Sequence, residues 1–533
     1  MLRKIRITSQ VLFFILFCVF FFFVNLYPRA YSLPADLFLR LNPLTALLTE
    51  VASRAIITSV CIAGLAVALL TMLFGRFFCG FVCPLGACID FSDTFLLKKT
   101  RFPGRRPPRF FQRLKYMVLF VIIVLSLFGA LVPLFMDPVS LFTRTMTVII
   151  NPLLMLFGMN SLALTGPLLE AVGFENAQTI ALKTPFFYGI LPVSIIFLAV
   201  LAGGLWDRRF WCQYVCPSGA LFGLLARFPL FRRVISRTGC TSCGACVRAC
   251  PVRAIDPDRP EQTRCSECIV CGQCTGIKDT CGGFRFAVPV PAAMPAPDLK
   301  KRHFLLGTLG GLLLVPLFKA NAAGKSDGSG RLIRPPGAVP EEDFLARCIA
   351  CGNCMKACPS NALQPCATGD GFTRLFTPKL VPRIGACDSR CLLCGNVCPT
   401  GAIRRVPGDE KPYVKMGTAV IDTHRCIAWE QNRECLVCDE VCPWNAIEPR
   451  LVQTMTGPFR VPVVREELCT GCGMCEMRCP VSGRGAIEVY RFGETRRASG
   501  NYASGHQKRN IDALRKKPEN DALSGRPSSG ISE

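Results

Sequence analysis

Cys348-Ile-Ala-Cys351-Gly-Asn-Cys354-Met-Lys-Ala-Cys358-Pro359 and Cys469-Thr-Gly-Cys472-Gly-Met-Cys475-Glu-Met-Arg-Cys479-Pro480 bracket the stretch that decides the fold. Each leaves two, two and three residues between successive cysteines and ends in proline. Three closely spaced thiolates can wrap one 4Fe–4S cubane, and the proline turns the fourth cysteine toward a neighbouring cluster. Two variants lie between: Cys387, Cys391, Cys394, Cys398-Pro399 and Cys426, Cys435, Cys438, Cys442-Pro443. The stretch holds 17 of the 33 cysteines, and 16 of them fall into these groups, which rules out chance. If the outer groups exchange fourth cysteines, Cys479 joins Cys348, Cys351 and Cys354, and Cys358 joins Cys469, Cys472 and Cys475. The inner pair then matches Cys442 with Cys387, Cys391 and Cys394, and Cys398 with Cys426, Cys435 and Cys438.

Other uses of cysteine fit less well. Disulfide frameworks belong to small secreted domains, and this chain has 533 residues. Zinc sites favour separated Cys-x-x-Cys pairs, often with histidine. The three histidines, His303, His424 and His506, follow no Cys-x-x-Cys, so attached haem is also unsupported.

Further upstream, Cys240, Cys243, Cys246, Cys250-Pro251 is another full run. Its partner, Cys268, Cys271 and Cys274, has Lys278 where the fourth cysteine belongs. Cys281 is the fourth ligand expected there, with Cys265 as competitor. Cys18, Cys61, Cys88, Cys265 and Cys366 stand outside every motif and read as packing or surface cysteines.

Half of the chain is apolar, and the apolar residues concentrate before residue 205. Four apolar segments are long enough to cross a bilayer, which takes about 20 residues: Val11–Tyr27, Ala55–Gly75, Tyr116–Met136 and Phe186–Trp206. Met146–Phe174, broken by Pro152 and Pro167, reads as short interfacial or re-entrant helices. The net charge of +25 sits largely beside the spans, without nucleic-acid motifs, and describes membrane orientation. Basic residues at the amino terminus, after the second span and after the fourth put both ends of the bundle in the cytoplasm.

The cytoplasmic ends of spans two and four repeat each other. Arg76-Phe-Phe-Cys79-Gly-Phe-Val-Cys83-Pro84 matches Arg209-Phe-Trp-Cys212-Gln-Tyr-Val-Cys216-Pro217. Cysteines four apart share a helical face, and the proline tends to end the helix. Packing would explain one copy; duplication favours convergence of Cys79, Cys83, Cys212 and Cys216 on an additional metal or redox centre.

The expected architecture is an α-helical transmembrane bundle (residues 1–235) with two α+β, bacterial-ferredoxin-like 4Fe–4S modules. A two-cluster module occupies 236–284 on the cytoplasmic side, followed by a proline-rich linker at 285–299. Residues 300–323 begin with Lys300-Lys301-Arg302, continue through an apolar run and end in small residues, as an export signal or a short fifth span does. A four-cluster module at 331–493 would then emerge outside the cytoplasm. The polar tail, 494–533, reads as disordered.

Residues 1 to about 290 resemble the NapH family of membrane quinol dehydrogenase subunits from periplasmic nitrate reductase systems. The four spans, the paired Cys-x-x-x-Cys-Pro motifs and the array that follows carry this resemblance. Residues 331–493 resemble NapG, its four-cluster ferredoxin partner, through Arg334-Pro335-Pro336-Gly337-Ala338, the run Cys348 to Cys358, the gap Cys426 to Cys435 and Cys469-Thr-Gly-Cys472-Gly. Lys301-Arg302 stands where NapG has a twin arginine. The resemblance implies a quinol dehydrogenase component in the bacterial inner membrane, delivering electrons to a periplasmic reductase or cytochrome.

The motif count gives six 4Fe–4S clusters. No Gly-x-Gly-x-x-Gly fingerprint after a strand supports a bound nicotinamide, so membrane quinol is the expected donor. Quinol oxidation needs a proton acceptor. Asp137, before Pro138, is the candidate, with a helix-capping role as the alternative. A redox maturation or regulatory factor for a periplasmic metalloenzyme is the second function the motifs allow.

Overall fold

The computed structural model describes residues 2–23, 36–97, 108–171, 184–235, 240, 242–275, 283–286, 301–324, 330–454 and 457–515. Apolar runs of Leu, Phe, Val and Ile fold as helices, which satisfy their own backbone polar groups. Leu2–Phe23, Thr58–Phe74, Leu114–Leu127, Asn151–Ala171 and Ile190–Ala202 are the long helices of the amino-terminal half. Among the described residues two stretches, Leu2–Phe22 and Pro138–Ser161, are long and apolar enough to cross a bilayer; Thr58–Phe74, Ile190–Leu205 and Leu305–Pro316 are shorter apolar helices.

This differs from the four spans read from the sequence. The third helix stops at Leu127, and the chain turns at Gly129 (φ 80°) before a 3₁₀ turn at Val132–Met136. The stretch assigned to interfacial pieces instead lies in an almost continuous helical run, Pro138–Thr145, Met146–Ile150 and Asn151–Ala171. Pro152 lacks an N–H, but Met146–Ile150 immediately before it is a π turn. That wider turn accommodates the missing donor without ending the helix.

Lys301–Gly324 is a helix packed along Leu114–Leu127. Glycine makes the approach possible: a Cβ at Gly311 would lie 2.8 Å from Val124 Cβ, and one at Gly307 would lie 3.3 Å from Phe120 Cβ. Successive glycines meet successively later residues of the partner, so the two helices run parallel. The same helix touches Phe372–Arg374 of the carboxy-terminal module.

The two cysteine-rich modules cap opposite ends of the bundle. At one end Glu267, next to Cys268, receives Arg76 (3.2 Å), Lys115 and Tyr116 Oη (3.0 Å), while Gln213 donates to Pro251 O at 3.2 Å. The Lys115 and Arg76 charges hold the Glu267 carboxyl below its usual range, although burial alone would raise it. At the other end Lys356 donates to Asn151 Oδ1 at 2.7 Å, and Asn361 and Gln364 donate to Phe186 O at 2.8 and 2.9 Å. Phe135 stacks edge-on against Phe376 with centroids 5.7 Å apart.

Short antiparallel pairs frame the modules: Phe231–Val234 with Gly283–Phe286, Leu363–Pro365 with Pro378–Leu380, and Thr418–Ile421 with Ile487–Tyr490. Ile447–Thr454 and Gly457–Val464 form a hairpin. Arg285 and Phe286, assigned to the linker, are strand residues; 287–299 lie outside the described residues.

The expected disorder of the tail does not hold over 494–515. Gly505–Arg515 is helical, Tyr502 is buried, and Tyr502 N–H donates to Glu410 at 3.1 Å. Arg515 lies 4.6 Å over the Trp444 ring. Cation–π contacts hold a segment that is poor in apolar residues, which composition could not reveal. Residues 516–533 lie outside the described ones.

Candidate iron–sulfur centres

Each cysteine loop ends in an exchange of its fourth ligand, but between neighbouring groups. Cys398 faces Cys348, Cys351 and Cys354 closely enough to act on all three electrostatically, and the four line one pocket. Cys358 acts in the same way on Cys387, Cys391 and Cys394. Cys442 completes the set of Cys469, Cys472 and Cys475, and Cys479 that of Cys426, Cys435 and Cys438.

The outer-with-outer pairing expected from the sequence is therefore overturned. Backbone pairing explains why. The first two groups are tied by Val339 N–H to Ala402 O (3.2 Å), Arg404 N–H to Gly337 O (2.9 Å) and Asn353 to Val397 O (3.4 Å). The last two are tied by Met416 N–H to Thr470 O (2.8 Å), Asp422 N–H to Ala486 O (2.8 Å) and Arg465 N–H to Ala446 O (2.7 Å). Cys387 N–H to Cys472 O (2.8 Å) joins the two halves. The sets thus succeed one another: the Cys351 set against the bundle, then Cys387, then Cys472, then Cys426.

The donor chemistry fits 4Fe–4S clusters. Backbone N–H groups of Ile403, Ala419, Ala446 and Ala486 donate to Cys398, Cys469, Cys442 and Cys479 at 3.3–3.5 Å, as sulfurs of an anionic cluster require. Burial pushes the Cys348, Cys438 and Cys472 thiols up to about 12, so several thiolates gathered here need bound cations. Among the described residues no three such groups are arranged for a single metal ion. A cubane holds its four thiolates further apart than one ion does.

In the amino-terminal module Cys250 faces Cys268, Cys271 and Cys274, again an exchanged set. Cys246 shares a cluster with Cys250 and Cys274, and Cys243 is exposed. Cys240 is half-buried, and Cys281 lies outside the described residues. Cys265 turns its thiol to Thr263 O at 3.7 Å. Cys366 is buried beside Arg334 Nη1 at 3.8 Å and lies close enough to Cys348 to act on it electrostatically.

Cys79, Cys83, Cys212 and Cys216 come together across the two repeats, each close enough to act on others of the four. Cys79 also packs against the cluster of Val252, Ala254, Ile269 and Cys271, which Cys250 and Cys268 border as well. Each repeat is a short helical turn followed by a helix that starts at proline, Pro84–Phe91 and Pro217–Leu225. The arginines that open the repeats cross over. Arg209 donates to Cys79 O (2.9 Å) and Gly86 O (3.3 Å), whereas a Cβ at Gly219 would lie 2.9 Å from Arg76 Nη2. Both guanidiniums are buried, balanced by Asp90 (2.6 Å from Arg209 Nε) and Glu267. An arginine at the head of both copies was the signal for this.

Asp137 caps Pro138–Thr145 through Val139 N–H (3.2 Å) and Ser140 N–H (3.0 Å). It also accepts from Asn42 and from Ser218 Oγ (2.6 Å), linking the cap to the second repeat. The capping alternative is the arrangement found.

A "4Fe-4S binding domain" profile matches residues 56–103, 189–238 and 392–409, and a second of the same description matches 233–256 and 344–364. A "4Fe-4S dicluster domain" profile matches 433–482. The methylamine utilization ferredoxin-type protein MauM of Methylorubrum extorquens is 39% identical over 31% of this chain and 74% of its own length. The ferredoxin-type protein NapG of Escherichia coli is 35% identical over 36% of this chain and 86% of its own. The regulatory protein NosR of Pseudomonas aeruginosa is 29% identical over 39% of this chain and 25% of its own. No solved structure matches.

Proposed function

The chain belongs to the family of ferredoxin-type iron–sulfur proteins that includes MauM and NapG, and from that membership we propose that it carries electrons from membrane quinol to a periplasmic acceptor. Electron transfer through 4Fe–4S clusters is the function of the chain. The finer reading is six such clusters in an inner-membrane protein that joins a NapH-like part to a NapG-like part. Each cluster supplies one-electron chemistry when bound.

The observation that carries the reading is the placement of the two cysteine modules at opposite ends of an apolar helical bundle. Cys240, Cys243, Cys246 and Cys281 would hold one cluster, and Cys250, Cys268, Cys271 and Cys274 the next. The four exchanged sets of the carboxy-terminal module would hold the others. Cys79, Cys83, Cys212 and Cys216 form an additional redox centre beside the second of these, where Arg76 and Arg209 offset its negative charge. The family profile over 56–103 and 189–238 supports that assignment.

The test is reduction of the purified, iron-loaded chain by a quinol, followed spectroscopically. Cluster bleaching at a rate that depends on quinol concentration is expected; clusters that respond to dithionite alone would defeat the quinol reading. Iron analysis of a Cys79→Ser, Cys212→Ser variant, with less iron than wild type expected, tests the additional centre. The likeness to NosR supports a second reading, a redox regulatory or maturation factor. It would leave a preassembled reductase indifferent to this protein.

A further inference from the structure

Lys411 lies in the Pro407-Gly-Asp-Glu-Lys411-Pro loop that follows the second cysteine group. It is 5% exposed, and its Nζ donates to Cys387 Sγ at 3.3 Å. A buried ammonium is strongly disfavoured unless an opposite charge compensates it. The adjacent carboxylate does not: Glu410 accepts from Tyr502 N–H at 3.1 Å and faces Lys508 at 3.5 Å. Asp388 accepts from the N–H groups of Arg390 and Cys391. The sulfur of Cys387 is the negative partner that Lys411 touches, with Cys394 and Cys391 of the same set close behind it.

Direct contacts at other cluster cysteines differ in kind, because Arg144, Arg334, Lys415 and Arg515 act on Cys351, Cys348, Cys469 and Cys442 through space and not through a hydrogen bond to the sulfur. Cys398, Cys442, Cys469 and Cys479 receive neutral backbone N–H groups, and Cys358 lies 3.5 Å from the Ser360 hydroxyl. A full positive charge on a ligand sulfur stabilises the reduced, more negative cluster more than a neutral dipole does.

We propose that Lys411 makes the cluster of Cys358, Cys387, Cys391 and Cys394 the most readily reduced centre of the carboxy-terminal module. This rests on the iron–sulfur reading above. The set is second in the succession, joined to the third through Cys387 N–H and Cys472 O. One electron arriving from the bundle side therefore collects at this junction before it passes to the distal half. Lys411 is a positioning residue for that electron: it touches a ligand, and it neither gains nor loses the electron itself.

The test is a redox titration of the full-length, iron-loaded chain followed by electron paramagnetic resonance, comparing wild type with Lys411→Met, Lys411→Gln and Lys411→Arg. The signal lost in Cys387→Ser identifies the cluster. In Lys411→Met its reduction should become about tenfold less favourable, 59 mV for one electron, with iron content unchanged and the other midpoints in place. Lys411→Arg should stay within about threefold of wild type, since it keeps the charge. Unchanged midpoints in Lys411→Met at full iron content would overturn the proposal. So would loss of iron in Lys411→Met that Lys411→Gln restores at the wild-type potential, because support without charge would then suffice. A wild-type chain that takes up no clusters defeats the iron–sulfur reading instead, a separate result.

Discussion

Arg144 donates from Nη1 to the carbonyl oxygen of Ala350, 3.0 Å away, and so holds the loop between Cys348 and Cys351 against the helical bundle. Its Nη2 reaches Phe135 O at 2.9 Å, and the guanidinium lies 4.4 Å over the Phe376 ring. One side chain therefore bridges both sides of the docking surface and fixes how near the first cluster of the module lies to the bundle.

Arg144→Met keeps the length of the side chain and removes both donors. The buried Ala350 carbonyl loses its charged partner across the surface, which should weaken docking by about 2 kcal/mol. Proteolytic release of the carboxy-terminal module should accelerate. Quinol-driven reduction of its clusters should slow, while that of the amino-terminal clusters stays as in wild type. Release and reduction rates equal to wild type would remove the bridging role.

Ligand exchange between neighbouring groups gives a spectroscopic prediction. Cys351→Ser and Cys398→Ser should perturb the same cluster signal, because both contribute to one set. Cys479→Ser should perturb the signal that Cys435→Ser perturbs. A common signal for Cys351→Ser and Cys479→Ser would restore the outer pairing and refute the arrangement found.

Glu341 gives the module an acid-sensitive joint. Burial would raise its carboxyl, but Arg334 (2.7 Å) and Arg496 (2.6 Å) hold it down to about 2, against an ordinary 4.5. The unfolded chain therefore binds this proton first as pH falls. The stabilisation is complete above about pH 4.5 and is lost as pH drops toward 2. Glu341→Gln should lower stability at pH 6 by about 2 kcal/mol, since it leaves the buried Arg334 without its counter-charge. In chemical denaturation, the gap between wild type and variant should narrow by pH 3. A gap independent of pH would mean that packing, not charge, is what the variant loses.

The cysteine groups were legible because a cubane dictates ligand spacing within a few residues. Their pairing was not, because it depends on contacts such as Met416 with Thr470, which bring together residues far apart in sequence. Helical character was legible from apolar runs, but Pro152 suggested a break that the π turn before it absorbs. The repeat revealed Cys79, Cys83, Cys212 and Cys216, and its leading arginines held the further information that each serves the other copy. Lys411 carries no spacing signal; a lysine in a polar loop reads as solvated until its sulfur neighbour is seen. Tyr502 and Arg515 were hidden in the same way, since their partners Glu410 and Trp444 lie in other loops.

The parallel packing of Lys301–Gly324 on Leu114–Leu127 leads to the last prediction. The shared direction starts at the end where Lys115 meets Glu267 of the first module. It finishes near Phe372–Arg374 of the second. A helix that joins opposite ends of an apolar bundle should place the modules on opposite sides of the membrane if the bundle spans it. Lys301 and Arg302 then stay in the cytoplasm, as the positive-inside rule favours. A reporter enzyme active only outside the cytoplasm, fused after Arg515, should be active, and the same reporter fused after Phe231 should be silent. Gly311→Leu should weaken the first signal, because even a methyl group there would approach Val124 Cβ to 2.8 Å and force the helices apart. Silence of the Arg515 fusion with normal expression would put both modules on one side and leave quinol no membrane to cross between them.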